Sequence, residues 1–236
     1  MMNRNLYLIA VAAGKGVRMG SKTPKQFMEI CGKPILRRTL ERFIEACPDI
    51  HIVTVLPEEY IPLWKDCCYR SNFDRAQILV KGGMTRFHSV RNALARIPDG
   101  AIVAVHDGVR PLLSTEMIRK MFSMMENCRA LVPVVPSVDT LKALRKDPET
   151  GQLSMIPGAE PDRSGIFAVQ TPQMFRIEDL RDAYSLPYDM KYTDDSSVAM
   201  EKGIPVSWCY GDRFNIKITS PDDIVIAEAL LKSGLR

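Results

Sequence analysis

Four cations and three glycines crowd one short stretch of this chain, A-A-G-K-G-V-R-M-G-S-K-T-P-K, from Ala12 to Lys25. Gly14, Gly16 and Gly20 let backbone N–H groups turn toward an anion and let it come close. Lys15, Arg18, Lys22 and Lys25 supply the opposing charge. A plain turn requires neither feature. The stretch is not a P-loop, since no frame supplies G-x-x-x-x-G-K-[ST]. Nor is it the dinucleotide fingerprint, which needs glycine where Met19 stands; Gly20 falls one place late. The chemistry these residues suit is phosphate binding by a cradle of a third kind.

Other polar clusters follow apolar runs elsewhere. K-G-G-M-T-R-F-H-S-V spans residues 81–90, H-D-G-V-R-P spans 106–111, T-P-Q spans 171–173, T-D-D-S-S spans 193–197 and N-I-K spans 215–217. In α/β sheets ligands bind beyond the carboxyl ends of the strands, so these clusters are expected to face one crevice. The three histidines are too scattered for a metal cluster. The six cysteines contain no C-x-x-C pair and read as reduced thiols.

The elements that must position these groups alternate. Strands are predicted at Leu6–Ala12, Ile50–Leu56, Gln77–Val80, Ala101–Val105, Leu131–Val135, Phe167–Gln170 and Pro205–Tyr210. Helices are predicted at Ile35–Ala46, Thr85–Ile97, Thr115–Asn127, Ile177–Tyr184, Asp194–Lys202 and Pro221–Lys232, with a loosely patterned helix in 57–76. This is the pattern of an α/β, Rossmann-like, mostly parallel sheet with helices on both faces. At 236 residues it suits a single domain, 1–236. Residues 137–163 break the rhythm and read as an extended arm. There Thr140–Arg145 and Gln152–Ile156 could form a β-hairpin around D-P-E-T-G. Such a hairpin leaves two edges uncovered, and a reciprocal clasp with a second subunit covers them. A solvent-exposed flap is the bland alternative.

Composition narrows the class. A net charge of +4, with basic residues in loops rather than in an aromatic-laced stripe, speaks against nucleic acid as a partner. Apolar stretches are only strand-length, so no membrane span is expected, and the first residues carry no signal-peptide cleavage pattern. A cytoplasmic enzyme is the expected class.

In their order along the chain, A-A-G-K-G-V-R-M-G, P-K-Q-F, G-G-M-T-R-F-H-S-V, V-H-D-G-V-R-P, V-D-T-L-K, D-R-S-G-I-F-A-V-Q-T-P-Q, T-D-D-S-S and N-I-K-I-T carry a resemblance. The chain resembles the 2-C-methyl-D-erythritol 4-phosphate cytidylyltransferases of the non-mevalonate isoprenoid pathway, over nearly its whole length. The resemblance implies the nucleotide-diphospho-sugar transferase type of fold. It also implies transfer of CMP from CTP to 2-C-methyl-D-erythritol 4-phosphate with Mg²⁺, by in-line attack on the α-phosphorus, with a substrate hydroxyl as the expected nucleophile. Products would be 4-diphosphocytidyl-2-C-methyl-D-erythritol and pyrophosphate.

By the same resemblance Arg18, Lys25 and Lys217 are the catalytic cations. Ala12, Ala13, Gly14, Gly16, Gly83, Arg86, Ser89 and Asp107 bind CTP, with Gly83, Arg86 and Ser89 shaping the cytosine pocket. Asp107, Arg110, Thr140, Arg163, Thr193 and Asp194 bind the acceptor, and Asp107 is the one candidate for a metal ligand. The arm would cross to a second subunit, making a homodimer in which Arg163 acts on its neighbour. Thr171 and Gln173 read as supports of the site wall. Two departures from the family pattern stand out: Gly108-Val109, where Ala-Ala is frequent, is expected to loosen the nucleotide site, and Met84 occupies a position where an acid is frequent. The alternatives are a ribitol 5-phosphate cytidylyltransferase, a more distant sugar-1-phosphate nucleotidyltransferase, or a non-catalytic nucleotide sensor on the same fold.

Overall fold

The computed structural model describes residues 5–14 and 23–235. In chain order these form β1 (Leu6–Val11), a 3-10 turn at Lys25–Phe27, β2 (Glu29–Ile30), β3 (Lys33–Pro34), α1 (Ile35–Ala46), β4 (His51–Leu56) and α2 (Ile61–Arg70). β5 (Ile78–Lys81), α3 (Arg86–Leu94), β6 (Ile102–Asp107), α4 (Thr115–Met124) and β7 (Ala130–Pro136) follow. Then come β8 (Leu144–Lys146), β9 (Leu153–Met155), β10 (Phe167–Val169), β11 (Gln173–Arg176), α5 (Ile177–Ala183), α6 (Asp195–Glu201), β12 (Val206–Tyr210) and α7 (Pro221–Lys232).

One sheet organises the molecule, in the order β10-β7-β11-β6-β1-β4-β5, with β12 also paired to β7. β5, β4, β1 and β6 run parallel, as do β7 and β12; β10 and β11 are antiparallel to their neighbours. The period-two alternation of a strand sorts β1 between two cores. Tyr7 and Ile9 join Phe87, Val90 and Leu94 of α3, Leu180 of α5 and Val198 of α6 on one face. Leu8 and Ala10 join Leu40 and Phe43 of α1, Trp64 of α2 and Met121 of α4 on the other. That is why β6, I-V-A-V-H-D, is buried at every position. Helix ends follow local chemistry: Ser114, one residue ahead of the expected Thr115, caps α4, and Ser220 with Asp223 forms a capping box on α7.

The sequence pattern predicts no strand at β11. Q-M-F-R is short and follows Pro172, so it reads locally as loop. Pairing with β6 on one side and β7 on the other makes it a strand. β10 and β11 run in succession along β7, yet between Val169↔Val134 and Met174↔Leu131 their line advances five residues against three. The extra residues lie around Gln170–Pro172, where the Thr171–Pro172 bond is cis.

Within residues 137–163 there is a short β-hairpin whose strands are shorter than, and shifted from, the expected spans. Leu144↔Met155, Arg145↔Ser154 and Lys146↔Leu153 form a two-stranded ladder apart from the main sheet, and every residue in it is exposed. All six cysteines are free. Among the described residues no helix is long and apolar enough to cross a membrane.

Candidate active site

The carboxyl ends of the four neighbouring parallel strands β5, β4, β1 and β6 open into a cleft of about 760 Å³, with Pro57, Glu58 and Glu59 lining it after β4. β1 contributes Ala12, Ala13 and Gly14; β5 contributes Lys81 to Arg86; β6 contributes Asp107 and Val109; Lys25, Gln26 and Lys217 close the remaining side. Of the expected site residues, Ala12, Ala13, Gly14, Lys25, Gly83, Arg86, Ser89, Asp107 and Lys217 therefore come together. Gly16 and Arg18 lie outside the described residues, together with Lys15, Gly20 and Lys22 of the glycine loop. Arg110, Thr140, Arg163, Thr193 and Asp194 do not line this cleft.

The wall from β5 is a close-packed turn. A Cβ on Gly82 would stand 2.6 Å from the Ala13 Cβ, and one on Gly83 would stand 2.4 Å from the His88 Cβ. Only glycine lets these backbones meet. The Gly83 N–H donates to Ser89 Oγ at 3.0 Å, and that hydroxyl donates to the Thr85 carbonyl at 2.9 Å. Ser89 thus fixes the turn while its residue lines the cleft. Thr85 caps α3, and Met84 projects into solvent. On the opposite wall the buried Gln26 donates to the Ala12 carbonyl at 3.1 Å, tying the 3-10 turn that carries Lys25 to the end of β1. Lys25 Nζ reaches the Ile218 carbonyl at 3.4 Å.

The expectation that Gly108 loosens the site is corrected by the structure. The space a Cβ would fill there is already bounded by Ala12 Cβ and Leu36 Cδ1, each 3.0 Å away. Lacking a methyl group, Gly108 lets the β6 end close against β1, with its N–H donating to the Val11 carbonyl at 2.9 Å.

Asp107 forms the floor. Its carboxylate meets Lys217 Nζ at 3.0 Å, Arg110 Nε at 3.1 Å and Arg86 Nε at 3.8 Å. Burial pushes its pKa upward, but Arg86, Lys217 and Arg110 outweigh it and hold the carboxyl well below the usual range. Arg110 also donates to the Asn215 carbonyl at 2.8 Å. The N-I-K segment is hung in place by Asn215 Nδ2 on the Thr171 carbonyl at 2.7 Å and by the Ile218 N–H on the Val109 carbonyl at 2.9 Å. Lys217 is delivered to the floor between these two ties.

Beneath the floor, the Asp107 N–H donates to Thr171 Oγ1 at 3.2 Å, and Thr171 Oγ1 lies 2.9 Å from His106 Nδ1. His106 Nε2 lies 3.3 Å from the Arg110 carbonyl. A carbonyl only accepts, so Nε2 carries the ring proton and Nδ1 accepts from the threonine hydroxyl. Burial keeps this histidine neutral, pushing its pKa down to about 3.

Two residues that the sequence did not single out complete the geometry. Arg86 forms a two-point fork with the buried Asp195, both bonds 2.7 Å, and the Tyr184 hydroxyl donates to the same carboxylate at 2.5 Å. Asp195 stands in the T-D-D-S-S cluster, where a second adjacent acid was the available signal. Its neighbour Asp194 is the N-cap of α6: Oδ1 accepts from the Ser197 N–H, and Oδ2 accepts from Gln173 Nε2 and Ser196 Oγ. Thr193 is exposed beside it, Thr140 is exposed on the arm, and Arg163 donates to the Val138 carbonyl at 2.6 Å. Thr171 and Gln173 are both buried: Thr171 braces Asp107, whereas Gln173 ties Asp194 and Ser196 at the start of α6.

A mostly parallel sheet ending in a glycine-walled cleft with cations around a floor carboxylate is the architecture of an α/β nucleotidyltransferase. Comparison narrows this. The family model for 2-C-methyl-D-erythritol 4-phosphate cytidylyltransferase matches residues 6–233, and the chain belongs to that family. The proteins of that name from Bacteroides thetaiotaomicron and Porphyromonas gingivalis (strain ATCC 33277) are 42% and 43% identical to it. The first match covers 95% of this chain and 98% of the relative; the second covers 98% and 100%. The crystal structure of the Francisella tularensis 2-C-methyl-D-erythritol 4-phosphate cytidylyltransferase superposes with a TM-score of 0.77 at 28% identity, covering 95% of this chain and 99% of that one. The crystal structure of the Thermus thermophilus protein of the same name gives 0.72 at 30% identity, covering 97% and 99%.

Proposed function

We propose that this cleft binds CTP and that the chain transfers its CMP group to 2-C-methyl-D-erythritol 4-phosphate, giving 4-diphosphocytidyl-2-C-methyl-D-erythritol and pyrophosphate. The observation that carries the reading is the floor: one carboxylate held ionised by three cations, beneath a glycine-walled cleft, in a chain of this family.

The product corrects the nucleophile expected from the sequence. A hydroxyl attacking the α-phosphorus would give a phosphodiester with a single phosphorus, whereas a diphosphate link requires a phosphate oxygen of the acceptor. That oxygen forms the new bond to the α-phosphorus as the bond to the bridging oxygen breaks, and pyrophosphate leaves with the electron pair. A phosphate monoester is already largely dianionic near neutral pH, so the step needs no strong base. It needs alignment and positive charge around the reacting phosphorus. Lys25 and Lys217, close together on one side of the cleft, supply that charge, and Arg18 is assigned the same role. The Gly82–Gly83 turn offers backbone groups to the base, with Ser89 holding its shape.

The donor set fits a divalent cation carried by the triphosphate. Among the described residues no group of three or more His, Cys, Asp or Glu side chains could hold a metal alone. Mg²⁺ is commonly bound through one or two carboxylates plus substrate phosphates; of the cleft acids Asp107, Glu58 and Glu59 among the described residues, Asp107 on the floor is the one that would serve. Bound there, Mg²⁺ would neutralise phosphate charge during transfer.

Acceptor recognition is assigned to Arg110, Thr140, Arg163, Thr193 and Asp194, with the arm, 137–163, reaching a second subunit. Two features support a homodimer. Leu144, Leu153 and Met155 of the arm are exposed, and a largely apolar groove lies along Phe167, Val169, Trp208 and Tyr210. A CTP substrate and six free thiols support a cytoplasmic setting for the reaction. The test is pyrophosphate release from CTP with each candidate acceptor: turnover with the methylerythritol ester is expected, and turnover only with ribitol 5-phosphate refutes the assignment.

A further inference from the structure

Arg86 stands between two carboxylates and divides its donors unequally. Nη1 and Nη2 are committed to Asp195 at 2.7 Å each, which leaves Nε facing Asp107 at 3.8 Å. The Asp195 side chain is fully buried, and a third group, the Tyr184 hydroxyl, donates to it at 2.5 Å. Burial and the neighbouring carboxylate raise the phenol's pKa well above its ordinary value, so it stays a donor. Three helices meet here: Arg86 opens α3, Asp195 opens α6 and Tyr184 ends α5. Burying an ion pair is a poor way to gain stability, because desolvation offsets much of the attraction. A planar guanidinium held at two points is, however, a good way to fix direction.

We propose that Asp195 and Tyr184 are positioning residues of the nucleotide site: by holding both Arg86 Nη atoms, they keep this guanidinium off Asp107 and leave that carboxylate to anchor Lys217. Without the Asp195 charge, Arg86 closes the 3.8 Å gap to Asp107 and competes with the Lys217 ammonium, now at 3.0 Å. Lys217 then loses its fixed place on the cleft floor. The effect of Asp195 on CTP therefore passes through Lys217.

A double-mutant cycle reads this coupling, because groups acting through one another give non-additive losses. CTP dissociation constants are measured by calorimetry for the unaltered protein, Asp195→Asn, Lys217→Ala and the double variant, with thermal melting of each. Asp195→Asn is expected to weaken CTP binding about tenfold in the unaltered background, and less than about twofold when Lys217 is already alanine. Tyr184→Phe keeps the ring stacked on Phe87, 4.6 Å between centroids, and removes only the hydroxyl. It gives the same pattern at smaller amplitude and decides the matter should Asp195→Asn fail to fold. Equal losses in both backgrounds, or none in either, overturn the inference. It rests on the reading of the cleft as the CTP site: no CTP binding by the unaltered protein refutes both, whereas normal binding with additive losses refutes this inference alone.

Discussion

Replacing Gly83 by alanine tests the wall of the nucleotide cleft at its tightest point. The added methyl would lie 2.4 Å from the His88 Cβ, 3.0 Å from its carbonyl carbon and 3.2 Å from its Cα. Carbon atoms in contact settle at about 3.5–4.0 Å, and none of these three can rotate away, because all are fixed by the first turns of α3. Turn and helix must part by roughly an ångström, which stretches the 3.0 Å bond from the Gly83 N–H to Ser89 Oγ. Overpacking of this kind costs about 1–3 kcal/mol, and the hydrogen bond adds about 1 kcal/mol. In a domain of this size 1 kcal/mol moves Tm by about 2–4 °C, so a fall of roughly 5–15 °C is expected. CTP affinity should fall at least about tenfold, because the displaced turn lines the cleft. Differential scanning calorimetry and CTP titration read the two effects, with Met84→Ala one residue on as the control for stability, since Met84 is 95% exposed. A Gly83→Ala protein that melts within about 1 °C of the parent and binds CTP equally would show that the close contact does not exist.

Acid should weaken the fold through His106. Its folded pKa of about 3 lies below its ordinary value of 6.5, so the unfolded chain takes the extra proton; stability is full above about pH 6.5 and declines toward pH 3, by about 2 kcal/mol at pH 5. Urea unfolding of His106→Gln should show a shallower decline between those limits, and an unchanged slope would refute this role. Lys25→Ala is expected to keep its stability and lose about 10²–10³ in rate, as removal of one charge-stabilising donor does. Mixing it with Arg163→Ala after subunit exchange should restore activity, since one site of each mixed dimer has both groups. No recovery despite proven exchange would remove Arg163 from the neighbour's site.

The parts of the site that were legible in the sequence are those where composition and position coincide. Buried parallel strands write continuous apolar runs, so the ends of β1, β5 and β6 could be located, and Gly83, Asp107 and Lys217 stand beside them. What stayed hidden depends on contacts distant in sequence. Q-M-F-R carries no strand signal of its own and becomes β11 only between β6 and β7. Asp195 and Tyr184 meet Arg86 across 109 and 98 positions of chain, and nothing local distinguishes Asp195, which grips an arginine, from Asp194, which caps a helix. Gly108 misled for a related reason. The freedom of a glycine is visible in sequence, but the Leu36 and Ala12 atoms that remove that freedom are not.

The antiparallel insertion explains why the floor is rigid where a purely parallel sheet would leave it open. Asp107 is the last residue of β6, so its N–H has run out of strand partners. The antiparallel register of β11 on β6, Gln173↔Val105, carried two residues further sets Thr171 opposite that end, where its hydroxyl accepts from Asp107 and its carbonyl accepts from Asn215. One residue thus holds the acid from below and the loop bearing Lys217 from the side. Were the line from Phe167 to Arg176 to keep a single register along β7, the sheet would survive, but Thr171 would be drawn into the ladder. Asp107 and Lys217 would then share no common support. The two residues gained between β10 and β11 connect the sheet to the charge arrangement of the cleft.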